Sequence, residues 1–249
     1  MLDGDNKSFK NKIVEGEATT IDRYPFQVAL LESDTLEWFN QRWGGTILNQ
    51  RSILSAAYCF WPWPSPPAAF YRVRVGSSFA NRGGVVHNAA RIIAHPFYNP
   101  STQDNDIAIV RLATRITFNI NTQPGPIAGA NYNLADNEVV WASGWGLLRD
   151  DSQHEQLRHI QVLVINQTTR VCRHRHRDPG SEFITDNMLC SGLLDMDARD
   201  QCAQDLGGPL THNGVVVGVC LMEQVCGDPW YPAVNVRVSR YTSWIQATA

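Results

Sequence analysis

Apolar and polar residues alternate along several short stretches of this chain. The clearest stretches are residues 24–31, 71–76, 91–98 and 161–165. Alternation with a period of two is typical of β-strands that bury one face. No apolar run approaches the length of a membrane span. The pattern predicts an all-β protein, with a short helix following the strand at residues 161–165.

Composition narrows the class of protein further. The chain has 249 residues, of which 43% are apolar, and its formal net charge is -3. An all-β fold of this size can bury its core as one domain. The small negative charge gives no sign of binding to nucleic acid or to a membrane, and we expect binding to neither. We also expect a monomer.

Six cysteines indicate an oxidising compartment and predict a secreted, extracellular protein. No two of them have the CxxC spacing of a zinc site, and we expect neither a metal nor a cofactor. The polar first ten residues are not a signal peptide, so a secretion signal would have been removed. Asn6 and Asn166 begin sequons compatible with glycosylation. The cysteines are Cys59, Cys172, Cys190, Cys202, Cys220 and Cys226.

Residues 199–210 read Arg-Asp-Gln-Cys-Ala-Gln-Asp-Leu-Gly-Gly-Pro-Leu. This segment resembles the nucleophile loop of trypsin-like serine proteases, in which a serine precedes Gly-Gly-Pro. Leu206 stands at the serine position, and its side chain has no heteroatom that a base could activate. Gln204 stands where the family has a glycine of the oxyanion hole. The resemblance therefore implies that the nucleophile and its electrostatic support are both missing.

Further segments carry the same resemblance. Residues 43–59 resemble the family's Cys-Gly-Gly to Ala-Ala-His-Cys segment, with Tyr58 at the position of the histidine base. A phenol with a pKa near 10 cannot shuttle protons at neutral pH as imidazole does. Asp106, in an Asn-Asp-Ile-Ala sequence, stands at the position of the triad aspartate. The family fold implies two six-stranded antiparallel β-barrels and a C-terminal helix.

The Lys12-Ile13-Val sequence resembles the family's activation site. Cleavage after Lys12 would free an amino terminus at Ile13, which in the family pairs with the aspartate found here as Asp205. The resemblance implies a propeptide at residues 1–12 and a trypsin-like domain at residues 13–249.

The specificity pocket of the family also has counterparts here. Asp200 stands where trypsin-like enzymes hold a basic side chain. Cys220, Met222 and Ala233 stand at wall positions, and the last two add bulk where the family has glycine. We expect a narrowed or closed pocket.

The resemblance also implies two disulfides, Cys172 with Cys190 and Cys202 with Cys226. Trp43 replaces the cysteine that would bridge to Cys59. Cys59 and Cys220 are then either two buried thiols or a further disulfide, and the sequence leaves both open.

Two segments are candidates for binding partners. The loop with Trp61 and Trp63 is rich in proline, and it is either a rigid recognition surface or a turn packed on the barrel. The second segment is the basic run at residues 170–178, which could bind sulfated glycans or acidic proteins. The simpler alternative is a solvated helix face. The arginines of this run include Arg173, Arg175 and Arg177.

With two triad positions substituted, the sequence predicts a catalytically inactive homologue, not an enzyme. Similarity to mite gut trypsin-like proteases, whose relatives include inactivated paralogues, favours a protein that interferes with host complement as a form of immune evasion, or competes with active proteases. The alternatives are a residual hydrolase with an unconventional nucleophile such as Cys220, and a heparin-binding or glycan-binding module.

Overall fold

A computed structural model describes residues 16–62, 67–146, 155–167, 172, 184–192, 206–221 and 232–249. These residues form two closed six-stranded antiparallel β-barrels and one short helix at the C-terminus. The predicted all-β double-barrel fold is confirmed.

The first barrel is built by residues 27–112. Its strands pair in the order β2-β3-β4-β7-β6-β5, which closes on itself. Their bounds are β2 Gln27–Glu32, β3 Asn40–Asn49, β4 Ser52–Ser55, β5 Tyr71–Val75, β6 Val85–Ala94 and β7 Ala108–Leu112, and a short strand β1, Glu17–Ala18, precedes them.

The second barrel follows from residue 139. Its strands pair in the order β9-β10-β13-β12-β11-β8, the pairing of β8 with β9 closes the ring, and β1 adds to β9 from outside. The bounds are β8 Val139–Gly144, β9 Arg158–Ile165, β10 Met188–Gly192, β11 Pro209–His212, β12 Val215–Cys220 and β13 Ala233–Arg237. Helix α1, Thr242–Thr248, ends the chain.

Strand β5 shows how the sequence pattern becomes a barrel wall. Tyr71, Val73 and Val75 are buried, whereas the arginines between them are only partly covered. Gly76 has φ of 69°, a conformation that disfavours other residues, and the strand ends there. Alternation therefore predicted this strand to within one residue.

The strand predicted over residues 91–98 was wrong at its end. Strand β6 ends at Ala94, and the amide of Tyr98 donates to the His95 carbonyl in a turn. Pro96 has no N–H for a strand ladder, and a proline restricts the residue before it. The helix predicted after residues 161–165 lies almost wholly outside the described residues.

Polar contacts join the two barrels near the site. The Ser143 hydroxyl donates to Gln27 Oε1 over 2.8 Å, and the Gly44 amide donates to the Leu206 carbonyl over 2.7 Å. Buried hydrogen bonds of this kind fix relative position because breaking one leaves a desolvated polar group.

No helix within the described residues combines the length and the apolar character needed to cross a membrane. In the same part of the chain, no three His, Cys, Asp or Glu side chains are grouped so that they could hold a metal ion.

Candidate active site

Asp106 is the buried centre of the site. It precedes β7 and follows Asn105, whose φ of 57° turns the chain. Its side chain is 0% exposed, and Oδ1 accepts the backbone N–H of Tyr58 over 2.7 Å. Oδ2 has no hydrogen-bond partner among the described residues. Burial raises the pKa of Asp106 to about 7, although the backbone N–H groups of Tyr58 and Ala57 oppose this.

Tyr58 begins a short 3-10 turn, Tyr58–Phe60, three residues after β4. Its ring meets Trp43 edge to face, with the centroids 6.4 Å apart. The indole N–H of Trp43 donates to Glu32 Oε2 over 3.2 Å, which fixes the tryptophan. Tyr58 donates to Asp106 through its backbone N–H and not through its hydroxyl.

Leu206 lies directly before a glycine with a special backbone conformation. Its side chain is 6% exposed, and its carbonyl accepts the Gly44 amide. Gly207 has φ of 78°, and a Cβ there would stand 2.2 Å from the Ser55 hydroxyl oxygen. Only glycine fits such a position. Strands β3 and β4 of the first barrel thus hold position 206 beside the barrel junction.

Two thiols belong to the same region. Cys59 and Cys220 are both buried as thiols. The Cys59 sulfur lies 3.8 Å from the Ser55 hydroxyl oxygen, and burial followed by the charge of Asp106 raises its pKa. A thiol with a raised pKa is a poor nucleophile because the thiolate is the reactive form.

Some of the remaining candidate residues lie within the described part of the chain, and the others lie outside it. Ala233 is buried at the start of β13, and Trp61 is 44% exposed. Cys172 and Cys190 form a disulfide with a Cα separation of 6.1 Å. The other candidates lie outside the described residues, and these are Lys12, Ile13, Trp63, Arg173, Arg175, Arg177, Asp200, Cys202, Gln204, Asp205, Met222 and Cys226.

Tyr98 is a site residue that sequence reasoning missed. Its hydroxyl is buried without a hydrogen-bond partner among the described residues, and burial followed by the charge of Asp106 raises its pKa. The alternation over residues 91–98 predicts a strand there, so no sequence signal connects the phenol with the aspartate eight positions later.

The two barrels, with Tyr58, Asp106 and position 206 at their junction, define the class of chymotrypsin-like double-barrel proteins. The family model described as Trypsin matches residues 13–245, and the chain belongs to this family.

The chain is similar to named insect trypsins over nearly its whole length. It is 56% identical to Trypsin CFT-1 of Choristoneura fumiferana over 241 residues, which covers 96% of this chain and 92% of the relative. It is 55% identical to Trypsin, alkaline C of Manduca sexta, with coverage of 94% and 90%. Trypsin, alkaline A of Manduca sexta is 52% identical, with coverage of 96% and 91%.

These relatives contradict the prediction of a non-enzymatic protein that interferes with complement. They are named trypsins, and their names carry no reference to inactivity or to complement. They come from insects, so they give the similarity to mite paralogues no support. The prediction rested on the residues at two positions, whereas the comparisons weigh the whole chain. The residues themselves are unchanged, with tyrosine at position 58 and leucine at position 206.

Proposed function

We propose that this chain is a secreted hydrolase of the trypsin family that cleaves peptide bonds in proteins. The observation that carries the proposal is its 52–56% identity to named trypsins over more than nine-tenths of its length. The disulfide between Cys172 and Cys190 supports secretion, because such bonds persist in oxidising compartments.

The site sets a chemical condition on this activity. Leu206 offers no atom that could form an acyl-enzyme, and position 58 holds a phenol where the family has its imidazole base. The buried Cys59 thiol has a raised pKa and does not replace the serine. Hydrolysis by this chain therefore follows a route other than attack by a side chain at position 206.

Cys220 is only 1% exposed, and buried cysteines of this kind are inert. Direct attack by water is therefore the route that the described residues leave. A water oxygen would bond to the peptide carbonyl carbon as a base accepts one water proton. The C–N bond would then break, and the amine would leave with the proton that the base returns. Asp106 is the acceptor available for the water proton, since its pKa is about 7 and its Oδ2 is unpaired within the described residues. Because this carboxyl is wholly buried, a local rearrangement must open a path for water to reach it.

The expected rate is low. Trypsin-like enzymes that lose a triad member retain roughly 10³ to 10⁴-fold acceleration over water, which comes from the oxyanion hole and substrate binding. A chain without the serine and histidine should not exceed that level. The activity is thus expected to lie far below that of an enzyme with the complete triad.

The test is hydrolysis of arginyl and lysyl peptide amides by the purified chain, before and after treatment with a fluorophosphonate. That reagent inactivates contaminating serine proteases but has no serine to modify at position 206. We expect a slow activity that resists the reagent and falls in Asp106→Asn. Activity that disappears with the reagent, or no activity above the buffer rate, would overturn the proposal.

A double variant, Tyr58→His with Leu206→Ser, is the matched control. The Gly44 contact and the Gly207 conformation hold position 206 independently of its side chain. If this variant reacts with the fluorophosphonate and hydrolyses the same amides while the unaltered chain does neither, the assay is valid and the proposal fails.

A further inference from the structure

A second cleft lies on the second barrel, beside β8 and the turn between β11 and β12. It has a volume of about 560 Å³. The residues that matter for its chemistry are Asp136, Glu138, Trp141 and His212. Two of its lining residues are carboxylates, and its described lining contains no lysine or arginine, so the lining is acidic.

A chain of hydrogen bonds fixes Glu138 in this cleft. The Tyr132 hydroxyl lies 2.7 Å from His212 Nδ1, and His212 Nε2 lies 2.7 Å from Glu138 Oε2. A carboxylate only accepts, so the contact between these two side chains is donated by the His212 Nε2–H. The Glu138 side chain remains 42% exposed. It is therefore oriented before any ligand arrives and still open to solvent.

Asp136, the second carboxylate of the cleft, already interacts with other side chains. Asp136 Oδ2 accepts the side-chain amide of Asn166, and the carboxylate interacts electrostatically with Arg237. Asp136 thus already interacts with an arginine, whereas the described partner of Glu138 is the His212 imidazole. Glu138 is therefore the carboxylate better placed to meet a new cation.

Trp141 supplies an aromatic surface that is also fixed. Its ring stacks on His159, with the centroids 4.8 Å apart and the planes 28° apart. His159 is held in turn by the Tyr24 hydroxyl, 2.6 Å from Nδ1. An indole ring beside a carboxylate attracts a cation through its face as well as through charge. A rigid pair loses little side-chain entropy on binding.

We propose that this cleft binds a basic side chain, a guanidinium or primary ammonium group, of a protein or peptide. Glu138 would pair with the cation, and the Trp141 ring would cover its apolar stem. The residues of this cleft lie outside the candidate active site. The test below measures binding, so its result does not depend on whether the chain hydrolyses peptides.

The probe is Nα-acetyl-arginine amide, titrated into the isotopically labelled chain and followed by the backbone amide signals. Single exposed ion pairs and cation–π contacts are weak, so we expect a dissociation constant on the order of 1 mM. Saturable shifts should centre on residues 137–139 and 212–214. The neutral citrulline analogue should produce none at the same concentrations.

Glu138→Gln should weaken binding by about twofold to fivefold. The matched control is Glu37→Gln, the same change at an exposed carboxylate outside the cleft. Shifts confined to other residues, equal binding of the citrulline analogue, or unchanged affinity in Glu138→Gln would each overturn the proposal. Shifts confined to residues that flank position 206 would locate arginine binding at the candidate active site instead.

Discussion

Replacing Asp106 by asparagine should make the protein more stable at alkaline pH and leave acid stability nearly unchanged. The carboxyl is wholly buried, and its pKa rises from 3.8 to about 7 in the folded chain. A raised pKa means that folding favours the protonated acid. The favourable contribution is complete below pH 3.8 and is lost as the pH rises through 7.

The magnitude follows from the size of the shift. A change from 3.8 to about 7 corresponds to roughly 4 kcal/mol between the two limits. Asparagine retains a carbonyl oxygen that can accept the Tyr58 N–H, and it carries no charge at any pH. The free energy of unfolding of Asp106→Asn relative to the unaltered chain should therefore rise by a few kcal/mol from pH 4 to pH 8.

Urea unfolding of both proteins at pH 4, 6 and 8 measures this difference directly. Comparing the two chains at each pH cancels the titration of every other group to first order. A difference that does not change with pH would refute the reasoning. So would a variant that becomes relatively less stable as the pH rises, because this would show that Asp106 is ionised and stabilised in the folded chain.

Three other variants test the described contacts by the same urea assay. Gly207→Ala should lose about 1–3 kcal/mol or more, because φ is 78° and the new Cβ would overlap the Ser55 hydroxyl, and an unchanged midpoint would contradict that geometry. Paired Cys172→Ser and Cys190→Ser substitutions should lose about 2–4 kcal/mol, and reduction should then have no further effect at this bond. Tyr24→Phe should lose about 1–3 kcal/mol, because the buried His159 Nδ1 is left without its hydrogen-bond partner, and an unchanged midpoint would contradict this.

The candidate site could be predicted only in part from the sequence. The order of the motifs matched Tyr58, Asp106 and Leu206 to the three triad positions of the family. The structure places these residues at the junction of the barrels. The surroundings of Asp106 could not be predicted from the sequence. The Oδ2 atom without a described partner and the nearby Tyr98 phenol both result from how a turn packs in the folded chain. The functional prediction failed for a different reason. It weighed the substituted residues and a presumed mite similarity above resemblance along the whole chain, which the insect trypsins supply.

Strands that are buried along nearly their whole length, such as β2, show no alternation in burial. The sequence by itself determined strand β5 to within one residue, because alternating burial is a local property of that stretch. It also determined the double-barrel fold, through motifs in a characteristic order. Only the tertiary structure decided which side chains share an environment. Tyr132 and His212 are 80 positions apart, and the fold brings them into hydrogen-bond contact. No local sequence pattern predicts the cleft beside them. Contacts between distant residues depend on packing the complete chain, and neither periodicity nor spacing records them.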